Sequence, residues 1–192
     1  MTILFTMNKA QIRKKALQQR NSLTAAECAL LSQKLLEGFK TLNFSKIKSI
    51  HVFLPIVAKS EPDTFLLIEW LEENHPEIEI MVPKADFETN LMENYLYLGT
   101  EDLRDNHFHI PEPQLASITA NLPDMVVVPL VAFDLKGHRV GYGKGFYDRF
   151  LQNLKAQKIG LSFFDAVTEI NDVHLNDVRL DKCITPKAIL EF

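Results

Sequence analysis

Four of the chain's seven glycines fall within residues 137–145, in the run Gly137-His138-Arg139-Val140-Gly141-Tyr142-Gly143-Lys144-Gly145. Glycine loses more conformational freedom on ordering than any other residue, so such a cluster marks backbone that a ligand approaches closely or that takes positive φ. Arg139 and Lys144 lie inside the run, and no acid intervenes between Asp134 and Asp148. Upstream, Met125-Val126-Val127-Val128-Pro129 reads as a short buried strand; downstream, Tyr147, Phe150, Leu151 and Leu154 recur at helical spacing. A cationic glycine loop feeding a helix N-terminus suits a bound phosphate, because unpaired N–H groups and the helix dipole both favour an anion there. For the glycines alone, a floppy hairpin or linker is the plain alternative. The spacing excludes two familiar nucleotide motifs. Gly145 stands where the Walker sequence needs Ser or Thr after its Lys, and a single residue precedes the last glycine where a dinucleotide loop needs a pair.

Asp148 follows in the first turn of the expected helix, where a carboxylate commonly just compensates the dipole. Beside a bound polyphosphate it would be repelled unless a hard divalent cation lay between them. Mg²⁺ binds through carboxylates plus substrate phosphates, which makes Asp148 the first candidate for an ion ligand. A second cationic cluster, Lys9, Arg13, Lys14, Lys15 and Arg20, precedes the first acid, Glu27. On a helix Lys9 and Arg13 are i,i+4 neighbours and Arg20 lies close to the same stripe. Three readings stand: a solvated basic face, an RNA contact, or a pair, Lys9 and Arg13, closing over the phosphates.

The elements that must position these residues follow from pattern. Asn8 with Gln11, and Thr24 with Glu27, are capping-box signals opening helices over residues 8–20 and through Leu31, Leu35 and Phe39. Residues 49–54 read as a strand ending at Pro55, 64–74 as a helix, and 77–82 as a strand ending at Pro83, with a weaker strand at 95–98. Prolines 111, 113 and 123 mark an extended connection. The glycine loop then feeds a helix to about residue 155, followed by strands at 159–163 and 183–190. This alternation implies an α/β fold, a three-layer α/β/α arrangement with a mostly parallel central sheet.

With 192 residues, one domain over 1–192 is expected, long enough to build its core without staples. A formal charge of −4 offers no global attraction to nucleic acid or anionic membrane, and the longest apolar run, residues 125–133, is too short to span a bilayer. Cys28 and Cys183, far apart, fit a reducing, cytoplasmic setting. Met7-Asn8 reads as an alternative start, so residues 1–6 are expected to be disordered. His107 and His109, beside Pro111, read as strand or loop surface.

Several segments taken in order carry a family resemblance: Lys9-Ala10-Gln11-Ile12-Arg13; Phe53-Leu54 followed by Glu61-Pro62-Asp63-Thr64; Val82-Pro83-Lys84; Ile110-Pro111-Glu112-Pro113; and Val128 to Asp134 through Gly137 to Arg149. Together they resemble the 5-formyltetrahydrofolate cyclo-ligases. The resemblance implies an ATP- and Mg²⁺-dependent conversion of 5-formyltetrahydrofolate, polyglutamylated forms included, to 5,10-methenyltetrahydrofolate with release of ADP and phosphate. In that family the formyl oxygen attacks the γ-phosphate, and a folate nitrogen then closes the ring and expels phosphate. Such chemistry needs positioning and charge neutralisation rather than a protein nucleophile.

Carried over by residue, the resemblance implies that Lys9, Ala10, Gln11, Ile12 and Arg13 hold ATP together with Arg139, Val140, Gly141, Tyr142, Gly143, Lys144, Gly145, Phe146 and Tyr147. Lys144, Arg139 and Tyr142 would be catalytic. Leu54, Glu61, Lys84, Tyr142 and Phe146 would receive the folate, and Asp148 with Asp177 would hold Mg²⁺. It further implies a fold similar to the sugar-phosphate-isomerase and CoA-transferase-like group, and a monomer is expected. The chain departs from the family pattern at Phe146, where Tyr is common, at Asn176, where His often precedes the acid, and in a longer loop between Leu54 and Glu61. A small-metabolite kinase and a non-catalytic nucleotide or RNA binder are the competing readings.

Overall fold

The computed structural model describes residues 7–107, 109–115, 117–119 and 121–192; the expectation for residues 1–6 lies outside them. Both capping boxes form. In α1 (Lys9–Asn21) the Asn8 side chain accepts from the Gln11 N–H, and the Asn8 N–H donates to the Gln11 side chain. In α2 (Ala25–Phe39) Thr24 and Glu27 repeat the exchange. Next come β1 (Ser49–Val52), α3 (Phe65–Asn74), β2 (Glu79–Asp86), β3 (Leu91–Leu96), β4 (Leu103–Asp105) and β5 (Pro111–Pro113). The chain ends with β6 (Met125–Val128), β7 (Ala132–Phe133), β8 (Arg139–Val140), α4 (Phe146–Leu151), β9 (Gln157–Leu161), β10 (Lys182–Ile184) and β11 (Ile189–Glu191).

One sheet has the order β11-β10-β9-β6-β1-β2-β3; its inner strands run parallel, and β11 and β3 are antiparallel edges. Alternation along the strands divides the core between two faces. Ile50, Val52, Met125 and Val127 pack under Leu35, Phe39, Leu67 and Leu71 of α2 and α3. Val126, Val128 and Cys183 face the other way, toward Leu151 of α4 and Phe133. This is an α/β fold with helices on both faces of a mostly parallel sheet, as expected. No helix of the described residues is long and apolar enough to cross a membrane.

The central crevice follows from this topology. From β1 the chain crosses over α3 to β2 on one side, whereas from β6 it crosses over α4 to β9 on the other. Adjacent parallel strands whose connections diverge leave a crevice beyond their carboxyl ends, the usual ligand position in open α/β sheets. The segment carrying Glu61 leaves β1 there, and the glycine run leaves β6.

Several boundaries differ from the sequence reading: β3 starts at Leu91 rather than at 95, β9 covers Gln157–Leu161 rather than 159–163, and β5 forms inside the proline connection. β2 runs through Pro83 because β1 pairs it only at Glu79, Ile80 and Met81; beyond that point its ladder partner is β3 alone, and a missing N–H on the unpaired side costs little. The terminal strand is two, β10 and β11, turned by residues 185–188 with the Thr185 N–H on the Ala188 carbonyl. α4 stops at Leu151 rather than near 155. Finally, the glycine run is not one loop: Gly137, at φ +81°, turns the β7–β8 hairpin, and only residues 141–145 remain as loop. Asp134 holds that turn. Fully buried, its carboxylate accepts the N–H groups of Lys136, His138 and Ile170 and the His138 ring at 2.9–3.2 Å.

Candidate active site

The β7–β8 hairpin delivers Arg139 to the crevice. Its guanidinium, buried, donates to the Val178 carbonyl and, at 2.9 Å, to the Asp148 carboxylate. The same Asp148 oxygen accepts the Val178 N–H at 3.2 Å. Burial, the largest influence, lowers the Arg139 pKa, and the Asp148 carboxylate opposes it. One guanidinium nitrogen of Arg139 thus holds the Asp148 carboxylate in place.

Residues 141–145 form the exposed rim. Gly143 and Gly145 sit at φ +93° and +71°, where a side chain would be strained. Lys144 between them is exposed, and among the described residues its ammonium makes no ion pair or hydrogen bond. Arg149 folds back to donate to the Lys144 carbonyl at 2.6 Å and braces the turn. α4 is only six residues long, so its dipole offers an anion less attraction than the longer helix expected from the sequence.

α1 closes over this loop. Arg13 Nε donates to the Gly141 carbonyl at 2.7 Å, and its guanidinium lies against Gly143. Lys9 pairs with Asp177, and the Lys9 N–H donates to Asp172 at 2.6 Å. Burial alone would raise the Asp177 pKa, but the Lys9 ammonium and the His174 N–H outweigh it and hold the carboxyl below its ordinary value. Of the basic residues on α1, Lys14 and Lys15 are exposed, whereas Lys9 and Arg13 are turned to the crevice. Arg139 feels both Asp148 and Asp177, so the two candidate metal ligands share one neighbourhood.

Across the crevice, Glu61 is 8% exposed. One carboxylate oxygen accepts the Ile56 N–H at 2.7 Å and the other the Tyr142 hydroxyl. Burial, dominant, raises the Glu61 pKa; the Tyr142 and Ile56 bonds and the charges of Arg20 and Lys59 work against it. Lys59 Nζ lies 4.4 Å from the Tyr142 ring centroid, a cation–π contact. Burial beside Glu61 raises the Tyr142 phenol.

Other candidates take supporting places. Ile12 and Val140 are buried together in a small apolar cluster with Ala132 and Ile170, and Leu54 in the main core. Gln11 is occupied by its cap, and Ala10 is exposed on α1. Lys84 donates to the Pro113 carbonyl at 3.3 Å and lies 5.5 Å from the Tyr95 ring centroid. Phe146 meets Phe87 edge-on, at 5.3 Å between centroids. His107 and His109 are exposed, and among the described residues no group of three or more His, Cys, Asp or Glu side chains could hold a metal.

Sequence reasoning left three neighbours without a place. Arg20 signalled itself only as the residue seven positions after Arg13, two turns on along the same face. Lys59 gave no signal. His51, fully buried on β1, anchors the loop's helix to the sheet. Its Nδ1–H donates to Asn94 Oδ1 at 2.7 Å, which leaves Nε2 to accept the Tyr147 hydroxyl at 2.9 Å.

Burial depresses His51 to about 4, with the Asn94 bond opposing. An unfolded chain takes up that proton below about pH 6.5, whereas the folded protein refuses it until near pH 4. Stability should therefore fall as the pH drops through this window, by a total on the order of 3 kcal/mol. Urea midpoints measured between these limits should show a steeper acid loss for the parent protein than for His51→Gln; equal slopes would contradict the assignment.

A family model described as the 5-formyltetrahydrofolate cyclo-ligase family matches residues 5–186. A 5-formyltetrahydrofolate cyclo-ligase of Escherichia coli is 31% identical, covering 91% of this chain and 98% of the relative. One from Mycoplasma pneumoniae is 33% identical over 82% and 86% of the two chains. Among solved structures, the 5,10-methenyltetrahydrofolate synthetase of Aquifex aeolicus superposes with a TM-score of 0.80 at 33% identity, covering 96% of this chain and 93% of that one.

Proposed function

This chain belongs to the 5-formyltetrahydrofolate cyclo-ligase family, and from that premise we propose how its crevice performs the family's reaction. The reaction consumes 5-formyltetrahydrofolate and ATP and yields 5,10-methenyltetrahydrofolate, ADP and phosphate. Residues 141–145 cradle the triphosphate with their N–H groups, Lys144 reaches the transferred phosphate, and Arg13 and Lys9 close from α1. Glu61 receives the N–H-rich edge of the folate ring, because a buried carboxylate is a strong paired acceptor. Tyr142 and Phe146 stand between the two ligands. Lys84 faces the glutamate tail, so polyglutamylated substrates are included.

The residues fit Mg²⁺. Asp148 is 33% exposed, keeps one oxygen on Arg139 and Val178, and lies in the same neighbourhood as Asp177. One or two carboxylates completed by phosphates and water is the ordinary Mg²⁺ environment, whereas an all-protein cage is not. When bound, the ion would neutralise charge on the phosphates. Arg139 keeps Asp148 turned toward them, and Lys9 does the same for Asp177. The seven-stranded sheet, which joins strands from both ends of the chain, supports a single domain over 1–192, and its switch-point site supports a grouping with the sugar-phosphate-isomerase and CoA-transferase-like folds.

The observation carrying this reading is the Tyr142–Glu61 bond, which brings an anion-binding loop and a buried carboxylate into one crevice. Incubation with 5-formyltetrahydrofolate, ATP and Mg²⁺ should produce the near-ultraviolet absorbance of the methenyl product. Omitting ATP should abolish it. ATP consumption with no such absorbance would point instead to a kinase of another metabolite.

A further inference from the structure

Arg20, at the last turn of α1, is 3% exposed, and the chemistry above leaves it unused. Its Nη1 donates to the Leu130 carbonyl at 3.3 Å and its Nη2 to the Tyr142 hydroxyl, while among the described residues its Nε is without a partner. A phenol has a single proton. Accepting from Arg20, Tyr142 must give that proton to Glu61, so the order of the three groups sets the direction of both bonds.

This arrangement blocks Glu61. Its carboxylate is buried, one oxygen lies under the phenol and the other on the Ile56 N–H, so the N–H donors of a ring reach it only when Tyr142 moves aside. The backbone permits that movement. Tyr142 lies between Gly141, around which a Cβ would meet nothing within 4 Å, and Gly143 in the left-handed region. Arg20 cannot follow, being held by Leu130 and by the burial of its stem.

Resting on the reading that Glu61 receives the folate ring, we propose that Arg20 is a positioning residue for this reaction: it holds the Tyr142 hydroxyl across Glu61 as a gate the ring must displace. It then stays behind as the counter-charge that keeps Glu61 an acceptor. Arg13 grips Gly141 next to the gate, so the gated position is also the one in which the phosphate loop is ordered. Removing the hydroxyl should therefore move the two affinities in opposite directions. A residue that merely props up the fold would weaken both.

The test uses Tyr142→Phe, Arg20→Lys and the double variant, with calorimetric binding of 5-formyltetrahydrofolate alone and of ATP with Mg²⁺ alone. Tyr142→Phe should bind the folate about three- to tenfold more tightly and the nucleotide about threefold more weakly, the scale of one exchanged hydrogen bond. Arg20→Lys should shift both in the same senses but less, and the double variant should match Tyr142→Phe, because Arg20 acts through that hydroxyl. Folate affinity that is unchanged or weaker in Tyr142→Phe, or effects that add in the double variant, overturns the gate. If Arg20→Lys does not fold, the split in Tyr142→Phe decides alone. A parent protein that binds folate and nucleotide but forms no methenyl product overturns the catalytic reading and leaves the gate to be judged on affinities.

Discussion

Lys144→Ala should reduce kcat by roughly a hundred- to ten-thousandfold, the range seen when a single donor or cation is removed from developing charge in acyl or phosphoryl transfer. Its melting temperature should stay within about 1 °C of the parent protein, since surface substitutions away from special features are nearly neutral. The structural ground is the isolation of this side chain. It is exposed and, among the described residues, makes no ion pair or hydrogen bond, so the fold spends nothing on it. Gly143 and Gly145 on either side place it at the tip of the loop, and Arg149 fixes the carbonyl of the same residue. A Lys that only tethers ground-state ATP would instead raise the nucleotide KM and spare kcat. Steady-state kinetics with a parallel melt separate these outcomes; a kcat within threefold of the parent would remove Lys144 from the chemistry.

Asp148→Ala should also abolish turnover, but unlike Lys144→Ala it should destabilise the protein. Asp148 carries the charge opposite Arg139, whose guanidinium is buried, and it caps the Val178 N–H. Deleting it leaves a buried cation without its partner, a change that costs about 3–5 kcal/mol when both groups are fully buried and less here, where the carboxylate is partly exposed. Asp148→Asn keeps an oxygen for Arg139 and Val178 and should recover much of that stability. It should not recover activity, because a neutral amide is a poor Mg²⁺ ligand. Titrating Mg²⁺ in the Asn variant should restore part of the rate at high concentration. Full activity of Asp148→Asn at ordinary Mg²⁺ would show that Asp148 serves the fold alone.

Much of the frame was legible because its signals are local. The Asn8–Gln11 and Thr24–Glu27 caps depend on residues three apart, and the buried run 125–128 can hardly be anything but an inner strand. Misplaced boundaries share a cause: they depend on neighbours distant in sequence. Pro83 ends a strand only where its N–H is needed, and that was decided by how far β1 extends alongside β2. Gly137 and Gly141 look alike in sequence, yet the buried Asp134 makes the first a hairpin turn and leaves the second in the open loop beyond β8.

The sequence by itself determined which groups are available: a glycine loop with Lys144, a carboxylate at Asp148, a cationic first helix and an isolated Glu61. Their types and spacings suggest a phosphate and, beside it, a divalent ion; the folate ring at Glu61 is what the family resemblance adds. Tertiary structure alone decided who faces whom. It turned Arg139 onto Asp148 and Lys9 onto Asp177, 168 residues away, and set Arg20 behind the phenol that covers Glu61. The reason is physical: an isolated charge in water has no preferred partner, and only burial of the helices and strands that carry these residues makes an unpaired charge costly enough to select one.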